Sequence, residues 1–370
     1  MDQEKAILIS GASIAGLTLA YWLNKYAGHK VKVTIVEISS GLRRGGSPID
    51  VRGEALIVAK EMGILDKIKA KEFVHSTVVI NAQNKTLVTF DVNAQSAYRG
   101  DIEIHRDDLV DILYENIPTD EVEFLFENKI EELIQHEDKV EVTFKTGESR
   151  DFDLVFGADG THSVVRKLVF GDEENYAEFF GAYFAIVEAP EIKHDQPNSG
   201  VIYNEPGKLA VLYPFKKAVN ALLVFRSPKL DWDYRNDEQH KAILNAHFEH
   251  SSWRIPEILA TMLHSDNLYF DEVCQIHMPA WSKGRVALVG DAAHTTSFPT
   301  GMGTSLAMQG ATVLAKALFI SGGDYTAAFA KYYETFHPYA ESIQARITHG
   351  INLLVPETAE GILEAYKRFK

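Results

Sequence analysis

Four apolar residues, Val286-Ala287-Leu288-Val289, lead into Gly290-Asp291, and a further glycine pair, Gly301 and Gly303, opens the helix-prone run Ser305-Leu306-Ala307-Met308. A carboxylate at the carboxyl end of a buried strand stands where α/β sheets place ligand-contacting groups, and it can accept hydrogen bonds from a polyhydroxy chain. Gly301 and Gly303, flanking Met302, let backbone lie flat against a planar ring. The following helix aims its N-terminus at whatever negative charge that ring acquires. Phe298 and Pro299 enter the same loop and join the candidate surface. His294, just past the strand, reads as a packed turn residue rather than a catalyst.

A second handover lies at the start of the chain. Residues 6–9 (Ala-Ile-Leu-Ile) form a short apolar strand that ends in Gly11-Ala12-Ser13-Ile14-Ala15-Gly16. A dinucleotide fingerprint needs a tight turn, close approach of backbone to pyrophosphate, and close helix–strand packing. Gly11 and Gly16 meet the first and third needs. Ser13 stands where the second glycine usually sits, and its hydroxyl can itself meet a phosphate. Helical apolar spacing over 17–26 and a β-branched strand over 31–36 complete a βαβ unit, and Glu37 ends that strand. Its carboxylate can accept both hydroxyls of a ribose and would repel a 2′-phosphate, so the site suits FAD or NAD and not NADP.

The third handover is Asp153 through Arg166: a buried strand, the turn Gly157-Ala158-Asp159-Gly160, and a helix start that Ser163 can cap. Arg166 is placed to pair with Asp159 or with a phosphate.

These motifs need elements to hold them. A helix is expected over 54–70, a hairpin over 77–90 with its turn at 81–84, and a helix over 106–113. Strands follow over 122–126, 140–144 and 153–156. Residues 181–225 read as an antiparallel, aromatic-rich sheet, 237–248 as a helix, and the tail from about 325 as mostly helical. The fold class is α/β: a Rossmann-like nucleotide domain (1–72, 101–170 and 271–322) interrupted by an antiparallel β-sheet substrate domain (73–100 and 171–270), with C-terminal helices over 323–370. Tyr183, Phe184, Tyr213 and Phe215 on the sheet offer an apolar wall, with Tyr183, Tyr213, Phe215, Phe298 and Pro299 as candidate substrate-pocket residues.

Composition sets bounds. The 370 residues carry 37 basic and 52 acidic side chains, a net charge of −15, which disfavours nucleic acid and anionic membranes. One cysteine, Cys274, allows no internal disulfide and agrees with a reducing cytoplasm. No basic leader precedes the first strand, and no apolar run nears the ~20 residues of a membrane span. No metal-ligand cluster is expected, and a monomer is.

The three motifs, in this order and spacing, resemble the single-component FAD monooxygenases of the para-hydroxybenzoate hydroxylase type, across almost the whole chain. Compact length, the segment 44–53 (Arg-Gly-Gly-Ser-Pro-Ile-Asp-Val-Arg-Gly) and the helical tail look most like the tetracycline-inactivating members. The resemblance implies that Gly11, Ser13, Ile14, Ala15 and Gly16 cradle the pyrophosphate and that Glu37 holds the adenosine ribose. It places Arg44 and Arg106 at the flavin nucleotide and gives Asp159 and Gly160 to FAD and nicotinamide nucleotide together. Asp291 would hold the ribityl chain, with Pro299, Gly301, Met302 and Gly303 at the ring. Met302 stands where the family usually has glutamine. The implied chemistry is reduction of FAD by NADPH or NADH, formation of a flavin C4a-hydroperoxide from O2, and hydroxylation of an aromatic or polyketide molecule, tetracyclines included. Two other readings compete. Trp253-Arg254-Ile255-Pro256 partly resembles the Trp-x-Trp-x-Ile-Pro motif of flavin-dependent halogenases, but Ser251 holds the first tryptophan's place. A non-catalytic flavin-binding protein is the third reading.

Overall fold

The computed structural model describes residues 4–368 apart from 28–29, 46, 74–75, 92–99, 119–120, 195, 197–198 and 216–217. Its centre is a six-stranded sheet in the order Ser282–Lys283, Val286–Leu288, Leu154–Gly157, Lys5–Ser10, Val31–Val36, Val122–Leu125. The last five strands run parallel and Ser282–Lys283 is an antiparallel edge. Parallel strands buried on both faces need continuous apolar runs, and Leu8, Ile9, Val33, Ile35, Val155 and Phe156 are fully buried. Because these strands share a direction, Gly11, Glu37, Asp159 and Asp291 all emerge at one edge of the sheet. Lys5–Ser10 lies at the point where strand order reverses, which is where open α/β sheets form a ligand crevice.

Backbone contacts lock these strand ends together. Gly11 has φ +108°, and a Cβ there would lie 2.4 Å from the Ala158 carbonyl oxygen. A Cβ on Gly16 would lie 2.0 Å from the Gly11 carbonyl oxygen. The helix Ile14–Ala27 therefore approaches its own entering loop more closely than any side chain permits, and it packs along Gly303–Ile320.

A seven-stranded sheet forms the second layer, in the order Tyr269–Ile276, Ala177–Glu188, Ala218–Arg226, Lys208–Phe215, Ser199–Glu205, Ser76–Ile80, Thr86–Asp91. All its pairings are antiparallel except Ser76–Ile80 with Ser199–Glu205. Tyr269–Ile276 carries this sheet past the boundary expected at 270. Period-two alternation divides its residues cleanly. Tyr183, Ala185, Leu223 and Phe225 pack under the helices Asp237–Phe248 and Ile255–His264. Phe184, Leu209, Val224 and Phe298 pack with Ile347 and Ile351 of the helix Ile347–Leu354. A three-stranded sheet (Ile130–Gln135, Val140–Phe144, Ser149–Phe152) and a ribbon pairing Pro48–Val51 with Ile102–His105 complete the frame.

The structure revises or adds to the expected elements at three points. The helix over 54–70 is two helices, Glu54–Glu61 and Leu65–Lys69, because Gly63 takes φ +75° and turns the chain so that Ile64 is fully buried. The helix Ile255–His264 starts inside the segment compared with the halogenase motif, with Pro256 in its first turn, a favoured place for proline. Gly303–Ile320 is, among the described residues, long and apolar enough to cross a membrane, yet two-thirds of it is buried within the protein.

The contact at Gly16 generates a stability prediction. Gly16→Ala should lower the thermal midpoint by an amount equivalent to about 1–3 kcal/mol of overpacking. Gly41→Ala, where a Cβ meets nothing within 4 Å, should leave the midpoint unchanged in the same calorimetric scan.

Candidate cofactor and substrate site

At the sheet edge the first motif is organised around its neighbours. Gly11 N–H donates to the Val36 carbonyl (2.8 Å), and Ala12 N–H donates to Glu37 (2.9 Å). Glu37 also accepts from Ser39 N–H (3.0 Å). Ile38 beside it is 64% exposed, an apolar surface next to the carboxylate. Ile14 and Ala15 are buried as the helix begins, and Ser13 Oγ accepts a hydrogen bond from the Arg106 guanidinium (2.8 Å). Arg106, first residue of the helix Arg106–Glu115, also donates to the Arg43 carbonyl (3.2 Å). Burial and the nearby Arg43 lower its pKa. Arg44 points elsewhere, pairing with Asp111 on that helix (2.7 Å).

In the second motif Asp159 turns toward its own helix. It accepts hydrogen bonds from Ser163 Oγ (2.5 Å) and Val165 N–H (3.1 Å) and lies 3.4 Å from Ser10 Oγ. Ser163 caps Val164–Phe170 as expected, accepting from Arg166 N–H (3.0 Å). Gly160 has φ +84° and an open Cβ direction. Arg166 is fully buried and pairs with Glu173 (2.5 Å), the Ala292 carbonyl (3.0 Å) and the Thr161 carbonyl. It is thus a fastener between the second and third motifs, not a side chain free for phosphate.

Asp291 begins the short helix Asp291–His294 after Gly290, whose φ is +65°. A Cβ on Gly290 would come within 2.8 Å of Ala15 Cβ, so the third motif, like the second, touches the first. The Asp291 side chain is exposed at the surface of this recess, but the protein around it still withholds hydration. This loss of hydration among the surrounding protein groups pushes its carboxyl pKa up to about 6, Arg106 opposes the rise and Asp271 adds to it. No described residue donates a hydrogen bond to its side-chain oxygens, which leaves acceptors for hydroxyl groups of a bound molecule. Gly301 (φ +63°) and Gly303 border the same loop, Met302 is buried, and Pro299 stands against Gly350 of the Ile347–Leu354 helix. His294 is buried against Trp281 and Phe336, and burial lowers its pKa to about 4, consistent with a packed residue.

The candidate substrate residues separate. Tyr213 lies on the inner face of the sheet, its hydroxyl 2.8 Å from Ser47 Oγ, and burial raises its pKa to about 12. Phe298 packs on Phe184 on that face, with centroids 4.8 Å apart. Tyr183 does not join them. Alternation turns it to the outer face, where it stacks with Phe225 and Phe270 and accepts a hydrogen bond from Leu230 N–H. Phe215 ends its strand, and its side chain lies outside the described residues. Trp253 of the halogenase-like segment packs on Tyr203 and bonds Asn84, also on the outer side.

The structure adds residues that sequence reasoning missed. Tyr269 donates to Asp271 (2.8 Å), lies beneath the Arg43 guanidinium (5.1 Å) and packs on Phe184. Asp271 also faces His162 Nε2 (3.4 Å), whose Nδ1 meets Glu173 (2.9 Å). Burial alone would lower the His162 pKa, but Asp271 and Glu173 hold it up at about 10. Its ring stacks on Tyr234 at 4.3 Å. This chain of pairs fixes the second motif to the antiparallel sheet. No local pattern announces it, since 162, 173 and 271 meet only after folding.

A loop crevice of this kind, closed by glycine contacts at a switch point, defines a dinucleotide-binding protein. The chain belongs to the FAD binding domain family, whose match covers residues 4–346. It is 37% identical over 352 residues to a flavin-dependent monooxygenase from an unknown prokaryotic organism, covering 93% of this chain and 89% of that one. Its fold matches the crystal structures of two tetracycline destructases. Tet(51) gives a TM-score of 0.86 at 32% identity, with 99% of this chain and 95% of that chain covered. Tet(55) gives 0.84 at 34%, with 100% and 97% covered. The protein is an FAD-dependent monooxygenase close to the tetracycline destructases.

Asp291 carries a testable conflict between stability and binding. Its folded pKa, near 6, lies above the ordinary 3.8, so the folded state binds the proton more tightly. Stability therefore falls as pH rises from about 3.8 to 6, and the penalty is complete above 6. Asp291→Asn should melt at a higher temperature than wild type when both are FAD-free at pH 7. The advantage should vanish toward pH 4. The same variant, and Asp291→Ala, should purify with little FAD by absorbance.

Proposed function

We propose that this monooxygenase uses NADPH or NADH and O2 to insert one oxygen atom into an aromatic or polyketide substrate, tetracyclines among them. The chain-long likeness to two tetracycline destructases, at 32% and 34% identity, is the observation that carries this reading. When bound, reduced FAD supplies the activation of O2 that no amino-acid side chain can provide.

The chain's own residues hold and orient. The backbone of Gly11, Ser13, Ile14, Ala15 and Gly16 meets the pyrophosphate at a helix N-terminus, where free N–H groups and the dipole favour an anion. Arg106, already on Ser13 Oγ, adds a positive charge beside it. Glu37 keeps lone pairs for the adenosine ribose beyond the two backbone N–H groups it accepts. Asp291 accepts from the ribityl hydroxyls, which supply the donors it lacks. Gly301, Met302 and Gly303 border the ring, and the N-terminus of Gly303–Ile320 stabilises negative charge there. Asp159 and Gly160 serve by shaping the neighbouring turn. Phe184, Phe298, Tyr213 and Tyr269 form an apolar wall with polar tips, suited to excluding water from a fused-ring substrate.

Mass spectrometry of a tetracycline incubated with the protein, FAD, NADPH and air tests the reading. The expected product is heavier by one oxygen and absent without NADPH. Unchanged drug would reject tetracycline and direct the assay to other phenols and polyketides. Chloride-dependent product would instead favour halogenation.

A further inference from the structure

The short turn Phe298–Thr300, which leads into the helix Gly303–Ile320, is held in a conformation its sequence does not favour. Ser297 enters it with φ +62° and ψ 156°, a region nearly reserved for glycine, and Gly301 leaves it with φ +63°. A residue with a Cβ persists there only where its surroundings over-determine the backbone. Part of that support is local. Thr300 Oγ1 donates to the Ser297 carbonyl (2.9 Å), and Gly301 N–H donates to the Phe298 carbonyl (3.0 Å). Gln275 Nε2 holds the Thr296 carbonyl just before the turn (3.1 Å).

Further support comes from the tail helix Ile347–Leu354. A Cβ on Gly350 would lie 2.5 Å from the Pro299 carbonyl oxygen and 3.2 Å from Pro299 Cβ. Gly350 is inside the helix and is not among the glycines with positive φ. Alanine would suit such a position better, so the approach to Pro299 is what calls for glycine here. On the same helix Ile347 and Ile351 pack in one cluster with Phe184 and Phe298.

The helix is in turn fastened to the antiparallel sheet. Carbonyls at a helix C-terminus lack partners within the helix, and the sheet supplies donors for them. Arg226 donates to the Val355 carbonyl (3.1 Å) and to Asn352 Oδ1 (2.6 Å), and Asn204 Nδ2 donates to the Leu354 carbonyl (2.8 Å). Just beyond, Gly207 N–H donates to the Pro356 carbonyl (2.8 Å). A helix fixed at its end and pressed against a turn at its middle passes its position on to that turn.

We propose that Gly350 is a positioning residue for the flavin site. Through it the tail helix sets the Phe298–Thr300 turn, and with that turn the Gly301–Gly303 segment and the start of the helix Gly303–Ile320. This rests on the proposed function, in which that segment borders the flavin ring. Gly11, Glu37 and Asp291, proposed to hold the rest of FAD, lie on other elements. Retention of FAD and placement of its ring are therefore separable.

The test compares Gly350→Ala with His349→Ala, an exposed neighbour on the same helix, both loaded with FAD. FAD content is read from absorbance, and the surroundings of the ring from visible circular dichroism. The ratio of reduced to oxidised flavin is read at equilibrium with a redox dye. Gly350→Ala should keep its FAD but change the dichroism. Its reduced fraction should fall about two- to fivefold in ratio, as the helix N-terminus moves off the charge it stabilises. His349→Ala should match wild type in every reading. If Gly350→Ala fails to fold, Arg226→Gln, which loosens the far end of the helix, carries the test with the same expected shifts. A merely structural role would lower the melting temperature and leave dichroism and ratio unchanged in the FAD-loaded protein. That result, equal shifts in His349→Ala, or a folded Gly350→Ala that holds no FAD would overturn the proposal. Wild-type protein is read first: failure to retain FAD would overturn the ring assignment on which the positioning role rests. Full FAD with no shift in either Gly350→Ala or Arg226→Gln would overturn the positioning role alone.

Discussion

The site depends on close approaches at glycines where a larger side chain would not fit. The Cβ positions of Gly11, Gly16 and Gly290 fall 2.4, 2.0 and 2.8 Å from Ala158 O, Gly11 O and Ala15 Cβ. Each contact joins two of the structural parts that present ligand groups: first loop to second, first helix to its own loop, third loop to first helix. Arg166 completes the interlock by holding carbonyls of both Thr161 and Ala292 from a fully buried position. A guanidinium whose two terminal nitrogens meet two carbonyls and a carboxylate is a rigid strut. The spacing of Glu37, Asp159 and Asp291 is therefore set by the sheet edge and these contacts rather than by the loops' own preferences.

Charge is arranged with the same economy. A protein of net charge −15 concentrates Arg43 and Arg106 at the mouth of the first motif, where anionic phosphates are expected, and faces them with Asp291 and Tyr269. Asp291 is kept in surroundings that raise its pKa, a cost the folded chain bears. Strain of this kind persists only where the surrounding structure over-determines it. The interlocked glycines supply that over-determination.

The sequence alone made the cofactor half legible because its signals are local: strand, glycine turn, helix start and acid follow one another along the chain. The sheet domain was legible as a class but not residue by residue. Tyr183 and Phe184 are adjacent and equally aromatic, and only the register against Val224 and Phe225 decides which faces the recess. Arg166 was visible as a charge near Asp159, but its partner Glu173 and the Ala292 carbonyl, 126 positions away, were not. The Arg43–Tyr269–Asp271–His162 chain joins three separate segments, so no window of sequence contains it. Gly63 was readable in principle, since an isolated glycine inside a helical pattern lowers confidence in continuity.

This division has a consequence for how such a chain can change its substrate. The loops proposed to hold the cofactor are locked to one another at glycines where a Cβ is excluded. The proposed substrate recess lies at the inner face of the antiparallel sheet and the Ile347–Leu354 helix, which meet through ordinary side-chain packing. Packing of that kind tolerates volume-conserving exchange, whereas the glycine contacts do not. Exchange at Phe184, Tyr213 or Phe298 would alter the proposed recess and leave the glycine contacts of Gly11, Gly16 and Gly290 untouched.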